Sequence, residues 1–475
     1  MRITQYRIMN REFFVSKKVL VMGLGRFGGG VDVAKFACGA GAKVIITDLA
    51  SAEQLSCSTE QLEEFPEIEY HLGSHNLGDF EQADIIVVNP AVAPDNEFLK
   101  LAHRHNKFIS TQINIFFELS AATIIGVTGA TGKSTTTALT AHLLRAGVGQ
   151  EKFKHRKVWL SGNIGNEPLL VALDEICADD LVVLELSSFQ TEQLAQIQKG
   201  PKVALLTNLT PNHLDRYGTF ASYCATKENI FKFQELDENF PAVSIFNAED
   251  KVGAEWFEKY KRKAGRICIK FSADDVSEEI RDRFSLPGRA NLSNLAAAIA
   301  ITRHFGIENN LIKNCLPDFR PLPHRLELVA QVEGVCWYND SKATTPQGAI
   351  AALEAFKKKP KIIIAGGYDK NLPFDELGKK IATSAKAAIL MGQTSEKIAD
   401  AIEKKRLTAE GAENAEKKIK VEVVKSLGDA VESARRLAVS GDVVLLSPAC
   451  ASYDMFDNFQ HRGQEFARLV REIGG

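Results

Sequence analysis

The run Ile124-Ile125-Gly126-Val127-Thr128-Gly129-Ala130-Thr131-Gly132-Lys133-Ser134-Thr135 carries residues suited to holding a nucleotide phosphate. Its apolar, β-branched start predicts a buried strand. The glycines predict a tight loop, and Lys-Ser-Thr predicts the opening of a helix. Such a loop turns backbone N–H groups and a helix N-terminus toward an anion. Lys133 would reach the outer phosphates and the Ser134 hydroxyl would ligate Mg²⁺. The spacing is the shorter Gly-x-x-Gly-Lys-Ser form, because Val127 stands where the longer motif begins with glycine. A strand–turn–helix without nucleotide would show the same local pattern, so the decision rests on the rest of the chain.

Other segments place polar residues where strands should end. Leu181–Leu186 reads as a buried strand carrying Glu185, a hard oxygen ligand that is costly to bury without a metal or cationic partner. A salt-bridged core acid is the alternative. Thr207–Arg216 starts as a strand ends and becomes a polar loop in which His213 could ligate a second Mg²⁺ or orient phosphate, or serve structure alone. Lys227 sits in a helical pattern, Tyr223–Phe231, and by itself reads as a surface lysine. Near the N-terminus, Gly23-Leu24-Gly25-Arg26-Phe27-Gly28 followed by Asp48 has the spacing of a dinucleotide fingerprint, about 20 residues from loop to acid. NAD, a UDP-sugar or mere helix–strand packing would each account for it. Later in the chain, His324-Arg325 and Asn339 to Thr344 flank the start of the third group of strands, and Gly366 to Lys370 and Leu446 to Ser452 follow predicted strands. They suggest a pocket for a carboxylate or phosphate.

The elements that must position these residues alternate strand and helix. Strands are predicted at Val19–Met22, Val44–Thr47 and Ile85–Val88, then at Ile124–Thr128, Leu181–Leu186, Val203–Asn208 and Val243–Phe246. A last group covers Val335–Asn339, Lys361–Ala365, Ala388–Met391, Val421–Val424 and Val443–Ser447. The pattern predicts three consecutive α/β domains: residues 1–121, Rossmann-like; 122–321, P-loop ATPase-like; and 322–475, Rossmann-like. At 475 residues the chain is too long for one ordinary core. Gln150 to Lys157 reads as a solvated insertion, and Asp400 to Lys420 as an exposed charged helix and loop. A formal net charge of −2, with no apolar run long enough to span a bilayer, argues against nucleic acid or membrane as the main partner. The N-terminus lacks a secretory h-region, and the eight cysteines form no Cys-x-x-Cys pair. A reducing cytoplasm with free thiols is expected.

In order along the chain, GVTGATGKST (126–135), SGNIGNEP (161–168), ELSSFQTE (185–192), TNLTPNHLDRYGTF (207–220), HRLELV (324–329), NDSKATTP (339–346), GGYDK (366–370) and LSPACASYDMFDNFQHRG (446–463) resemble the Mur ligase family over nearly the whole length, and its D-glutamate-adding branch in particular. The resemblance implies an ADP-forming amide ligase of peptidoglycan precursor synthesis. ATP would phosphorylate the carboxylate of UDP-N-acetylmuramoyl-L-alanine, and the amine of D-glutamate would displace the phosphate. It implies catalytic roles for Lys133, His213 and Lys227. ATP contacts would come from Gly129, Ala130, Thr131, Gly132, Lys133, Ser134, Thr135, Asn291, Asn294, His324, Arg325 and Asp340. Two Mg²⁺ sites would use Ser134, Glu185, His213 and Lys227, the lysine carbamylated to N6-carboxylysine. The UDP-substrate would meet Gly23, Leu24, Gly25, Arg26, Phe27, Asp48, Asn163, Ser187 and Gln190. D-glutamate would meet Lys342, Thr344, Lys370, Ser452 and Phe459. A monomer is expected. Thr131 stands where most relatives have Asn, and Ala290 where they have His. Another family ligase, or a folylpolyglutamate synthase-like enzyme with a different acceptor, is the near alternative. An NAD dehydrogenase leaves Lys133 and Glu185 without a purpose, and a decayed, non-catalytic nucleotide sensor leaves the set Lys133, Ser134, Glu185, His213 and Lys227 without one.

Overall fold

The structure, a computed structural model, describes residues 9–474 apart from 27, 94, 165–167 and 410–418. The expected role of Phe27 and part of the charged stretch after Asp400 therefore lie outside the described residues. Three sheets follow one another along the chain. The first contains β1 (Lys18–Met22), β2 (Lys43–Asp48), β3 (Glu69–Leu72), β4 (Ile85–Val88) and β5 (Phe108–Ser110), in the order β3-β2-β1-β4-β5 and parallel throughout. The second contains β6 (Thr123–Thr128), β7 (Val158–Gly162), β8 (Leu181–Glu185), β9 (Val203–Leu206), β10 (Ala242–Asn247) and β11 (Arg266–Phe271). Its order is β11-β10-β9-β6-β8-β7, also parallel. The third contains β12 (Glu327–Val332), β13 (Val335–Asn339), β14 (Lys361–Ala365), β15 (Ala387–Leu390), β16 (Lys420–Val423) and β17 (Val443–Leu446), in the order β12-β13-β17-β14-β15-β16. Here β12 runs antiparallel to β13, so this sheet is mixed. By compactness the chain forms two units: residues 1–272 with 296–315, holding the first two sheets, and residues 273–295 with 316–475, holding the third.

The central strands are buried on both faces, as parallel strands covered by crossover helices must be. Every residue of β4, β8, β9, β14 and β17 is buried. Five strands escape the sequence reading: β3, β5, β7, β11 and β12. Each lies at an edge of its sheet. An edge strand is wetted along one side and lacks the continuous apolar run that marks its neighbours. The β12–β13 hairpin turns through Glu333 and Gly334, both with positive φ, as a two-residue turn of the I′ kind requires.

Two surface expectations need correction. Helix Ser395–Ala409 begins the charged stretch, but it is not simply exposed. Ile398 and Ile402 are buried in the core beneath it, where they pack with Leu377 and Ile419. The Gln150 to Lys157 segment is pinned by Phe153, which is buried; a Cβ on Gly147 would lie only 3.1 Å from its ring. In both cases a few apolar residues anchor a polar segment, and composition averages them away. Among the described residues no helix is long and apolar enough to cross a membrane.

Candidate active site

The phosphate loop leaves β6 at the point where the second sheet changes direction, with β8 on one side and β9 on the other. Gly129 has φ +147°, and a Cβ there would overlap the Thr207 hydroxyl, so only glycine fits. Gly132 (φ +79°) is the N-cap of helix Lys133–Gly147 and makes no side-chain cap, so the positive end of the helix lies at the loop, where an anion suits it. The loop is braced from β9's end. Ala130 N–H donates to Asn208 O at 2.8 Å, and Thr131 N–H and Oγ1 donate to Asn208 Oδ1 at 3.1 and 3.0 Å. Asn208 Nδ2 and Thr207 Oγ1 both donate to Thr131 O, at 3.0 and 2.7 Å. Thr131, the departure from the usual Asn, thus uses its hydroxyl in this bracing. Lys133 folds back so that Nζ donates to Ala130 O at 3.0 Å.

Glu185 ends β8, in register with Val127 of β6, and is buried. The Ser134 hydroxyl donates to its Oε2, and Asn163 Nδ2 donates to Oε1 at 3.2 Å. Gly162 (φ +94°) lets the backbone pass so close that Asn163 N–H donates to Glu185 O at 2.9 Å. Lys227, on helix Phe220–Lys232, is not a surface lysine. It is 1% exposed, and Nζ donates to Thr128 Oγ1 at 3.0 Å. Burial, reinforced by the Lys133 cation, pushes its amine well below the ordinary lysine range, against the opposing pull of Glu185. His213 is held in the left-handed region (φ +52°) at the start of a short helix. Its ring lies 5.2 Å from Phe189 and 6.5 Å from Tyr223, and Lys227 Nζ lies 5.4 Å from the Tyr223 ring. Ser187 caps helix Ser188–Ile197 in a reciprocal box with Gln190. One strand end therefore gathers Lys133, Ser134, Asn163, Glu185 and Lys227. Among the described residues no three His, Cys, Asp or Glu side chains cluster to hold a metal by themselves. The donor set is nevertheless hard oxygen beside an anion cradle, which suits Mg²⁺ completed by nucleotide oxygens.

In the first sheet the glycine loop follows β1. Gly25 N–H donates to Asp48 Oδ2 at 3.0 Å, and Ala50 N–H to Asp48 Oδ1 at 2.8 Å. Asp48 thus braces the backbone on both sides of the loop; Leu24 is buried and Arg26 exposed. The close backbone approach here is made by Gly30, just past the fingerprint, and not by its last glycine. A Cβ on Gly30 would overlap Leu24 backbone, whereas Gly28 has open space around it.

The remaining residues lie in the second unit, most of them near its strand ends, with Asn291 and Asn294 on helix Arg289–His304. His324 (φ +64°) is buried and its ring nitrogen Nδ1 pairs with Asn339 Nδ2 at 2.9 Å; burial pushes its pKa down. Asp340 accepts from Leu326 N–H at 3.2 Å and from Ser447 Oγ at 2.8 Å, and burial raises its pKa to about 7. Arg325 is half-buried beside them. Lys342 Nζ lies 3.8 Å from the centre of the Phe459 ring. Its N–H donates to His324 O, and Thr344 N–H to Lys342 O. Ser452 is buried and Lys370 exposed. Asn291 Nδ2 donates to Pro287 O at 2.8 Å and Asn294 Nδ2 to Asn291 Oδ1 at 3.2 Å, near the exposed Ala290. Sequence reasoning passed over Arg462. It is 1% exposed and donates to Ser341 Oγ (3.0 Å) and O (2.9 Å), Cys450 O (3.1 Å) and Ala451 O (3.3 Å), so that it ties two of these loops together. It also passed over Asn208. Neither has a local signal, because an Arg or Asn that braces backbone looks like any surface residue in sequence.

Comparison with known proteins agrees with this arrangement. Residues 17–110 match the family described as Mur ligase MurD-like, N-terminal domain; residues 127–302 match the Mur ligase middle domain; and residues 324–450 match the Mur ligase, glutamate ligase domain. The UDP-N-acetylmuramoylalanine–D-glutamate ligase of Roseiflexus sp. (strain RS-1) is 38% identical, covering 96% of this chain and 99% of that protein. The ligase of the same name from Thermoanaerobacter sp. (strain X514) is 36% identical, with 96% and 98% covered. Among solved structures, the UDP-N-acetylmuramate–alanine ligase MurC of Thermotoga maritima superposes with a TM-score of 0.57 at 18% identity over 96% of this chain and 99% of that one. The MurF ligase of the same organism, in complex with ADP, gives 0.54 at 18%, over 98% and 97%. The chain belongs to the Mur ligase family. Within it, the N-terminal match and the full-length relatives are of the MurD type.

Asn208→Ala removes the side chain that braces Thr131 and should weaken ATP binding about tenfold, with little change in melting temperature. A nucleotide titration beside a thermal melt checks this. Asp340 carries a pH signature. Between about pH 4 and pH 7 the folded chain keeps a proton that the unfolded chain has lost, so stability falls as pH rises through that window, by up to ~4 kcal/mol. Asp340→Asn removes that slope. Urea melts at about pH 5 and about pH 8 should show the variant gaining on the original protein at the higher pH.

Proposed function

We propose that the protein joins D-glutamate to UDP-N-acetylmuramoyl-L-alanine in an ATP-dependent, ADP-forming reaction of peptidoglycan synthesis, working in the cytoplasm as a monomer. The observation that carries this reading is the convergence of Lys133, Ser134, Glu185 and Lys227 at one strand end, in a chain similar over nearly its full length to ligases of that name. The N–H groups of Gly132 to Thr135, in the loop that Ala130 and Thr131 brace through Asn208, and the Lys133 ammonium hold the outer phosphates of ATP. Lys133 leaves its resting bond to Ala130 O to do so. A carboxylate oxygen of the alanyl group attacks the γ-phosphorus; an O–P bond forms and ADP leaves. The D-glutamate amine then adds to the carbonyl carbon of the acyl phosphate, and the tetrahedral adduct collapses to amide and phosphate with loss of a proton. Such transfers depend on positioning and charge neutralisation more than on covalent help from the protein.

Ser134 and Glu185 would hold one Mg²⁺, and His213 with carbamylated Lys227 a second. Bound there, the ions would neutralise charge on the transferring phosphoryl group. The depressed pKa of Lys227 supports the modification, because a neutral amine can add CO₂, forming a C–N bond and releasing a proton to give an anionic carbamate. Gly23 to Gly28 and Asp48 cradle uridine diphosphate, and Asn163, Ser187 and Gln190 meet the muramoyl-alanyl end. His324, Arg325, Asp340, Asn291 and Asn294 take the nucleotide. Lys342, Thr344, Lys370, Ser452 and Phe459 receive D-glutamate, with Lys370 a natural partner for its side-chain carboxylate.

The test is phosphate release from ATP with UDP-N-acetylmuramoyl-L-alanine, comparing D-glutamate with L-glutamate, D-aspartate, L-lysine and diaminopimelate. Release that requires D-glutamate, with the amide product identified by mass, is expected. Release with another acceptor would overturn the specificity, and none with any acceptor would overturn the reaction. Lys227→Ala should lose at least about a hundredfold in kcat and recover part of it with short carboxylic acids, whose oxygens replace the carbamate. No rescue, together with an unmodified Lys227 in the intact protein, would remove the carbamate.

A further inference from the structure

Asp32, in the first turn of helix Gly29–Gly39, is 5% exposed and takes no part in the chemistry above. Its Oδ2 accepts hydrogen bonds from Leu169 N–H at 3.1 Å, Leu170 N–H at 2.8 Å and Gln112 Nε2 at 2.5 Å. Its Oδ1 accepts from Val171 N–H at 3.0 Å. The helix that carries Asp32 starts directly after the glycine loop of the first sheet. The amides it receives belong to the second sheet's connection, a few residues beyond Asn163. Gln112 opens helix Gln112–Leu119, whose Asn114 Nδ2 donates to Gln193 O at 3.1 Å and Gln196 Oε1 at 3.2 Å. Those two residues lie on helix Ser188–Ile197, the helix capped by Ser187 and Gln190. The helix that follows the glycine loop is therefore tied by Asp32 directly to the connection beyond Asn163, and through Gln112 to the helix whose Asn114 holds helix Ser188–Ile197. At the far end of the Asp32 helix, Arg11 pairs with Asp174 and donates to Gly39 O at 3.2 Å, which adds a second tie along the same seam.

Four donors converging on one buried carboxylate make a stiff connection. Each bond is charge-assisted, and removing the acceptor strands two buried amides, Leu169 and Leu170, and the part-buried Val171 amide. The substrate proposed above is gripped at two places, its diphosphate in one domain and its carboxylate in the next. For a ligand held at two sites, the gain from the second grip depends on how well the spacing of the sites is fixed.

We propose that Asp32 is a positioning residue that sets the spacing between the uridine-diphosphate grip and the carboxylate-activating centre, so that the muramoyl-alanyl carboxylate arrives in line with the γ-phosphate. This rests on the activity proposed above. The affinity of the whole substrate should depend on Asp32, while that of either grip alone should not.

The test compares binding of UDP and of UDP-N-acetylmuramoyl-L-alanine, with kcat and each KM, in the full-length protein and in two variants. Asp32→Asn keeps the size but replaces one acceptor oxygen with a donor. Gln112→Ala weakens the same tie without stranding a backbone amide, and carries the test if the first variant does not fold. The expected result is about a tenfold loss of affinity for the full substrate in Asp32→Asn, and about threefold in Gln112→Ala, with a matching fall in kcat/KM for that substrate. Affinity for UDP alone and KM for ATP should stay within about twofold. A purely structural role would lower the melting temperature and leave the ratio of full-substrate to UDP affinity unchanged; that ratio unchanged in a folded variant, or equal losses for both ligands, would overturn the proposal. An unmutated protein that binds UDP but shows no preference for the full substrate would overturn the proposed activity and the positioning role with it.

Discussion

Burying ionisable groups is costly, and the second sheet buries a carboxylic acid and an amine side by side. Glu185 and Lys227 are out of water, and the Lys133 cation nearby helps push the Lys227 amine toward its neutral form. The Lys133 ammonium and the positive end of its helix are what the site offers to an anion, and a nucleotide phosphate suits them. The same constraint accounts for the loop's conformation, because a cradle built from N–H groups has to be braced from outside. Thr207 and Asn208 supply that bracing from the adjacent strand.

The three sheets solve one positioning problem in the same way. In each, polar residues sit just past the carboxyl ends of central parallel strands: Gly23 to Asp48 after β1 and β2, Gly129 to Ser134 and Glu185 after β6 and β8, and Asp340, Gly366 and Ser447 after β13, β14 and β17. Strands buried on both faces are rigid, so their ends hold side chains within the tolerance that phosphoryl transfer needs. Close backbone passages recur there. Cβ atoms on Gly162 and Gly366 would overlap Glu185 and Met391 backbone, so these turns leave no room for another residue.

Much of this is legible in the sequence, and the missing parts share a physical cause. The central strands announce themselves as apolar runs, and the phosphate loop through glycines that only a tight anion-binding turn requires. Edge strands β3, β5, β7, β11 and β12 do not, because half of each faces water. Residues that act through other residues are silent as well. Asn208, Arg462 and Asp32 brace backbone from a distance in sequence, and nothing in their local pattern separates them from surface polar residues. Lys227 is the sharpest case. Its helix reads as amphipathic with a lysine on it, and only the packed structure turns that lysine inward toward Thr128.

The central claim is that this charge cluster transfers a phosphoryl group to a carboxylate before the amide forms. Labelling the alanyl carboxylate of UDP-N-acetylmuramoyl-L-alanine with ¹⁸O tests it directly. If an acyl phosphate forms and is broken at its C–O bond by the amine, one labelled oxygen leaves with each inorganic phosphate, and mass spectrometry of the phosphate will find it. Phosphate released without label, alongside amide product, would contradict the account.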